Sequence, residues 1–362
     1  MQKFHGSYKS SDVTFLLDPI VVTEDGVPPG TPQAEGAAAY EVQIASEAPM
    51  SPLYMSYFYG ALERNKARIA YDVAQVARAL AARPNEELVL ASLVRAGTPI
   101  GVLLHRALVM LGRKSVHYSI SATRKRGSDP CALDAIIRDH SPEDIVFVDG
   151  WTGKGYIATE LREAMHGFNF SRHVRINPEL VVLADLAGVA GLSASADDYL
   201  IPAAMLRSTV CGLISASMLN PRNVPGLPDA CLFYEHLRSH DLSAFFVDTV
   251  TEEVAKVLPS LVGTPVIAWD EEAKQQARLV SDAFVDETMR MYGIVERNKV
   301  KPGICEANRA LLTRATQMQL VVRDLGADGE DLANLLFLAE AKGVVVSENS
   351  ALPYRAAVLL TA

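Results

Sequence analysis

Residues 144–155 read DIVFVDGWTGKG. Ile145 to Val148 is an unbroken apolar run that ends on an acid, the pattern of a strand buried on both faces of a parallel sheet. The glycine-containing loop that follows leads directly into a helix at Tyr156. A strand, a glycine loop and a helix start form an anion cradle, because successive N–H groups and the helix N-terminus can point at one ligand. Gly150, Gly153 and Gly155 let the backbone bend, while Trp151 lies between them, Thr152 adds a hydroxyl donor and Lys154 a cation. Asp149 is placed to accept from vicinal sugar hydroxyls. A nucleotide P-loop is excluded, since GxxxxGK[ST] requires Ser or Thr after the lysine and Gly155 stands there. The plain alternative is a tight strand-to-helix turn.

An earlier stretch repeats the arrangement. SLVRAGTPIG (92–101) is again a strand end, a loop with Arg95, Ala96, Gly97 and Thr98, and a helix. Two anion loops at two strand ends fit a ligand with two separated phosphates. Between them, SATRKRGSD puts Arg124, Lys125 and Arg126 beside a glycine, either as a mobile lid over a polyanion or as a solvated loop. The chain alternates through this region: helical spacing over 52–82 closed by Pro84, strand 88–93, helix 99–111, strand 115–121, helix 130–139, strand 144–149, helix 155–166 and strand 179–185. Such alternation predicts an α/β fold with a mostly parallel sheet flanked by helices, and ligands beyond the carboxyl ends of its strands. Residues 24–38 are rich in proline and glycine and read as a loop after a strand at 13–17. A helical stretch is expected at 232–238, an apolar segment at 245–250 and a polar connector helix at 271–291. A smaller α/β unit closes the chain with helix 304–314, strand 319–324, helix 329–341 and strand 343–347. The expected division is 1–255, a connector at 256–296, and 297–362.

The 362 residues carry a net charge of -9, with 49% apolar and 21% charged side chains, enough for a large core and more than one domain. Acidity over the whole chain disfavours indiscriminate nucleic-acid binding but permits local basic patches. The four cysteines, Cys131, Cys211, Cys231 and Cys305, form no CxxC pair, which suits buried thiols in a reducing compartment. The N-terminus lacks an apolar signal core, and the apolar stretch 180–192 is interrupted by Asp185 and glycines, so a cytoplasmic protein without membrane spans is expected. His236 and His240, at i and i+4, lack a third ligand at matching spacing and read as surface histidines.

SLVRAGTPIGVLLHRAL, RKRGSD, IVFVDGWTGKG and DDYLIPAAMLRSTVCGLIS (197–215) together resemble the type I phosphoribosyltransferase superfamily. They are most similar to its bacterial branch associated with tellurite-resistance stress operons, a branch that also carries a cysteine-protease label. The resemblance implies that Arg95 to Thr98 hold the pyrophosphate of 5-phosphoribosyl-1-pyrophosphate with Mg2+. It implies that 149–155 hold the ribose 5-phosphate, that Arg124 and Arg126 close over the leaving group beside a catalytic Asp149, and that Asp197 and Asp198 face a base-like acceptor. For Asp197 and Asp198 a helix N-terminus is the competing reading. Ordinary members place two adjacent acids where this chain has Asp149 followed by Gly150 and Trp151, which motivates a second expectation: a ligand sensor or RNA-binding scaffold without chemistry. Proteolysis is the least expected, since the residues around the cysteines show no protease signature.

KPGICEANRALL, QLVVRDLGADGEDLANLLFLAEAKGVVV and LPYRAAVLL (within 297–362) resemble the Pelota and kink-turn-binding family of small RNA-binding domains. The resemblance implies that Lys301, Gly303, Glu306 and Arg309 meet structured RNA, with Cys305 where the family carries asparagine. The same basic patch is alternatively a solvated helix face.

Overall fold

The computed structural model describes residues 4–23, 47–123, 127–220, 226–267, 270–313, 317–326 and 329–361. In chain order the first strands are β1 (Thr14–Phe15), β2 (Asp18–Val22), β3 (Leu88–Leu93), β4 (Ser115–Ile120), β5 (Ala122–Thr123) and β6 (Gly127–Ser128). They are followed by β7 (Ile145–Val148), β8 (Trp151–Thr152), β9 (Leu180–Asp185), β10 (Leu192–Ser195) and β11 (Ala230–Tyr234). The helices among them are α1 (Pro52–Ala81), α2 (Gly97–Met110), α3 (Pro130–Asp139), α4 (Tyr156–Arg172) and α5 (Ser243–Val257). The main sheet runs β1-β4-β3-β7-β9-β10, with β8 also paired to β9, and its pairings are parallel. All six residues of β3 and of β9 are buried, as uninterrupted apolar runs require when helices cover both faces.

α1 starts where Pro52 supplies a fixed φ and the Ser51 hydroxyl accepts from the Tyr54 amide at 3.2 Å. Its buried stripe of Phe58, Leu62, Ile69, Val73, Val76 and Leu80 follows the helical spacing of the sequence and joins the largest core cluster. One reading changes. The helical stretch expected at 232–238 is β11, paired in parallel with β2, and then a 3-10 turn at Glu235–His240; pairing in the folded chain overrides a short apolar run of ambiguous period. The apolar segment at 245–250 lies inside α5.

The C-terminal unit comprises α6 (Glu271–Tyr292), β12 (Val300–Pro302), α7 (Ile304–Thr313), β13 (Met318–Val322), α8 (Gly329–Ala341), β14 (Val345–Glu348) and β15 (Ala356–Leu360). Its sheet runs β12-β15-β13-β14, antiparallel except for β13 with β14. Ile304, Ala307 and Leu311 of α7 lie in the same apolar cluster as Phe58 and Val73 of α1. Polar bonds fix that joint: Cys305 Sγ donates to the Tyr199 carbonyl at 3.3 Å, and Asn308 Nδ2 to the Ala204 carbonyl at 2.8 Å. Among the described residues no helix is long and apolar enough to cross a membrane.

Candidate functional site

β3 and β7 are adjacent and parallel, so the loops that leave them emerge at one edge of the sheet. Gly97 allows them to touch: a Cβ there would lie 2.4 Å from the Val148 carbonyl oxygen. A third wall comes from the C-terminal unit, which presses so closely on the β7–α4 loop that a Cβ on Gly153 would lie 2.9 Å from both Pro302 O and Glu306 Cγ. Between these walls is a cavity of about 350 Å³.

Cations outnumber acids in its lining. Arg95, Lys154, Arg207, Lys301 and Arg309 face Glu47, Asp149 and Glu306. Lys154 Nζ lies 3.1 Å from Glu306 Oε2, and Lys301 Nζ bonds Asn298 Oδ1 at 2.9 Å. Arg95 and Arg207 stand 3.8 and 3.7 Å from the oxygens of a single carboxylate, Glu47, whose Oε1 accepts from both the amide and the hydroxyl of Ser208. The Arg309 guanidinium lies 5.4 Å from the centroid of the Trp151 ring, a cation–π distance.

Two groups at this edge have shifted protonation. Burial pushes the Asp149 carboxyl up from 3.8 to about 7, against the opposing pull of the Gly150 amide, which donates to Oδ1 at 2.8 Å, and of Arg309. The Cys211 thiol, fully buried, is raised by burial, and Arg309 and Arg95 offset only part of that rise. Its Sγ donates to the Arg95 carbonyl at 3.4 Å. The raised Asp149 sets a pH test. The folded state holds this proton more tightly than the unfolded state between pH 3.8 and about 7, so ionised Asp149 destabilises the fold above pH 7. Asp149→Asn keeps an oxygen for the Gly150 amide and removes the charge. It is expected to stabilise the chain at pH 8 by up to roughly 4 kcal/mol, from 1.36 kcal/mol per pKa unit, with the gain fading as pH falls from 7 to 4. Denaturant midpoints at pH 8 and pH 4.5 check it; an equal effect at both would show that the charge is not the cause.

Of the residues singled out in the sequence, Arg95, Ala96, Asp149, Trp151, Thr152, Gly153, Lys154 and Gly155 line the cavity, and so do Lys301, Glu306 and Arg309. Gly150 precedes the Trp151 wall. The Thr152 hydroxyl is turned to Asp185, and Thr98 is buried against Ser119 at 2.7 Å. Gly303 turns with φ +86 beside Leu186. Asp197 pairs with Arg68 at 2.6 Å, whereas Asp198 lies at the joint, accepting from the Ile304 and Arg355 amides. Arg124 and Arg126 fall outside the described residues. His236 packs edge-on against Tyr234 and faces the Val22 and Glu47 carbonyls. Glu47, Arg207 and Tyr234 also line the cavity without a sequence signal of their own; Arg207 and Cys211 are four residues apart within 197–215, where Cys211 reads only as a buried thiol. Among the described residues no three His, Cys, Asp or Glu side chains gather to hold a metal ion. Asp149 Oδ1 accepts from the Gly150 amide, and Glu306 pairs with Lys154.

A family model described as tellurite-like stress resistance cysteine protease StiP matches residues 6–251, and one described as PELOTA RNA binding domain matches 279–362. A curated relative from Acinetobacter baylyi, named cysteine protease StiP, is 38% identical over 377 residues, covering 99% of this chain and 94% of the relative. Among solved structures, the hypoxanthine phosphoribosyltransferase of Trypanosoma cruzi matches 37% of this chain and 82% of its own at 18% identity and TM-score 0.29. The Vibrio vulnificus NanR protein complexed with ManNAc-6P matches 69% and 74% at 10% identity and TM-score 0.24. Neither score carries an argument. The family model and the near-full-length relative overturn the expected transfer of ribose 5-phosphate, and with it the alternative of a sensor or RNA-binding scaffold without chemistry. The geometry supplies a physical reason for the first correction: Lys154 is neutralised by Glu306, and the C-terminal unit covers the glycine loop where a sugar phosphate was expected.

Proposed function

The chain belongs to the StiP family, and from that premise we propose that it is a cysteine-dependent peptidase whose nucleophile is Cys211. The observation that carries the choice is the placement of this thiol against two guanidinium groups, Arg95 and Arg309, that line the cavity. Cys231 in β11 and Cys305 in the joint have thiols pushed far up by burial; Asp18 adds to the rise at Cys231, and at Cys305 the single guanidinium of Arg309 is opposed by Asp198 and Asp331. Cys131 is half-buried in the first turn of α3 and acts on Arg172 of α4; like Cys211 it is outside the cavity lining, but Cys211 adjoins two of the lining guanidinium groups. Thiolate, not thiol, is the nucleophile, and nearby cations favour it.

The charged neighbours that shift Cys211 are Arg309, Arg95 and Glu47 rather than a histidine; Asp149 acts on the same Arg309, and in this reading its carboxyl is the base. Asp149, at about 7, is poised to take and return a proton near neutral pH. In this reading the thiol proton passes to Asp149 and sulfur adds to the peptide carbonyl carbon. The oxyanion that forms faces the guanidinium groups. The C–N bond then breaks as Asp149 returns the proton to the leaving amine, and water hydrolyses the thioester with Asp149 again as base. Cys211 is fully buried at rest, so this reading requires the wall over it to open for the substrate.

Labelled casein is the direct substrate for a test. Hydrolysis by the purified chain that iodoacetamide abolishes and a metal chelator leaves intact is the expected result. No hydrolysis, or hydrolysis indifferent to thiol alkylation, would overturn the reading.

A further inference from the structure

We propose that the cavity selects acidic peptides, with Arg207 and Arg309 holding an Asp or Glu side chain of the substrate beside the scissile bond. The proposal rests on the peptidase reading and names its substrate class. Three guanidinium groups converge on the cavity from separate parts of the chain: Arg95 from the loop after β3, Arg207 from the segment before the 3-10 turn at Ser208–Val210, and Arg309 from α7. Glu47 approaches Arg95 and Arg207 only at 3.8 and 3.7 Å, beyond hydrogen-bond length, and spends Oε1 on Ser208, while Asp149 acts on Arg309.

The sealed nitrogen atoms are the second observation. Arg309 Nε and Nη2 and Arg207 Nε are shut away from solvent without an oxygen acceptor in hydrogen-bond geometry, and the partner that Arg309 does have is the weakly accepting Cys211 sulfur. Buried guanidinium N–H groups without acceptors are unfavourable, and three of them in one wall are not a packing solution. Burial first, and Arg95 after it, disfavours the charged form of Arg309 against the pull of Cys211 and Asp149; burial first, and then Arg207, disfavours that of Lys342. A planar carboxylate answers both deficits, since it accepts two parallel N–H bonds from a guanidinium and neutralises it. The cavity's size suits a short peptide segment rather than a duplex or a folded domain. The acids already present do not fill this role, because Glu306 is occupied by Lys154 and Asp149 sits near half-protonation at neutral pH.

The test uses the full-length chain and paired pools of fluorogenic hexapeptides, one with Glu and the other with Gln at each position in turn. At one position the Glu pool is expected to show at least about tenfold higher kcat/KM, arising in KM, as a charge-assisted hydrogen-bond pair would give. Arg207→Gln, checked for a wild-type melt, should reduce the preference to about threefold or less. Equal cleavage of every pair by the wild-type chain would overturn the proposal while leaving the peptidase reading standing. If the chain cleaves neither pool, calorimetric titration of Cys211→Ala with the same pools decides. Binding of Glu over Gln peptides would uphold an acidic ligand and discard the peptidase reading, whereas heat from inorganic phosphate but from neither pool would overturn the proposal.

Discussion

Cys211→Ala is expected to lower hydrolysis of casein by at least about a thousandfold, because removing a nucleophile leaves only the residual effect of binding and electrostatics. Folding should survive. The substitution removes one sulfur from a fully buried site and one hydrogen bond to the Arg95 carbonyl, a loss of about 1 to 2 kcal/mol. Cys211→Ser sharpens the test, since its hydroxyl can still donate to that carbonyl while being a far weaker nucleophile. It should melt like the wild type and be inactive. Cys131→Ala, which changes a half-buried position outside the cavity wall, should leave hydrolysis within about twofold, as a substitution away from the reacting groups does. The pH profile carries a second signature. Asp149 must be ionised to accept the thiol proton, so kcat/KM should fall as pH drops through about 7. An active Cys211→Ala chain, or an inactive Cys131→Ala chain with Cys211 intact, would assign the nucleophile elsewhere.

The parallel sheet and its two glycine loops were legible because the residues that make them are local. Six apolar residues in a row at 88–93 and a run such as IVFV ending on Asp149 can be read without a partner. The helical spacing of α1 belongs to the same class. The cavity's third wall was not legible, since it depends on which face of α7 turns inward. Arg309 read as an outward RNA contact, yet its sealed nitrogens lie over Trp151; Cys305 read as a substituted RNA ligand, yet its sulfur bonds the Tyr199 carbonyl inside the joint. Nothing in the order of residues announces that α7 docks on the segment 199–204 and α8 on α1. β11 failed for a related reason: its pairing with β2 spans about two hundred residues, and periodicity carries no information about such a partner. The function expected from the loops failed for another. A glycine cradle specifies a place where an anion can sit, while the chemistry depends on the groups brought to it from elsewhere in the chain.

Asp198→Ala is expected to be the most damaging single substitution at the joint between the two units, costing about 3 to 5 kcal/mol, the range for leaving partners of a buried carboxylate unsatisfied. One oxygen accepts from the Ile304 amide at the start of α7, at 2.8 Å, and the other from the Arg355 amide before β15, at 2.7 Å. A single side chain from the first unit thus ties a helix start and a strand entry of the second, and alanine leaves both amides without an acceptor. Asp198→Asn should recover only part of the loss, because its NH2 must face one of the two donors. The cost should also depend on pH. Burial raises this carboxyl from 3.8 to about 6, so between those values the folded state binds the proton more tightly than the unfolded state. The wild type therefore gains on the alanine variant as pH falls from 7 to 4, and the difference in unfolding free energy should be larger at pH 4.5 than at pH 8. Denaturant melts at the two pH values measure it, and limited proteolysis gives the structural counterpart: cleavage between 258 and 303 should become faster in the variant as the second unit loosens from the first. A variant with unchanged proteolysis and a pH-independent cost of under about 1 kcal/mol would reduce Asp198 to an ordinary surface cap.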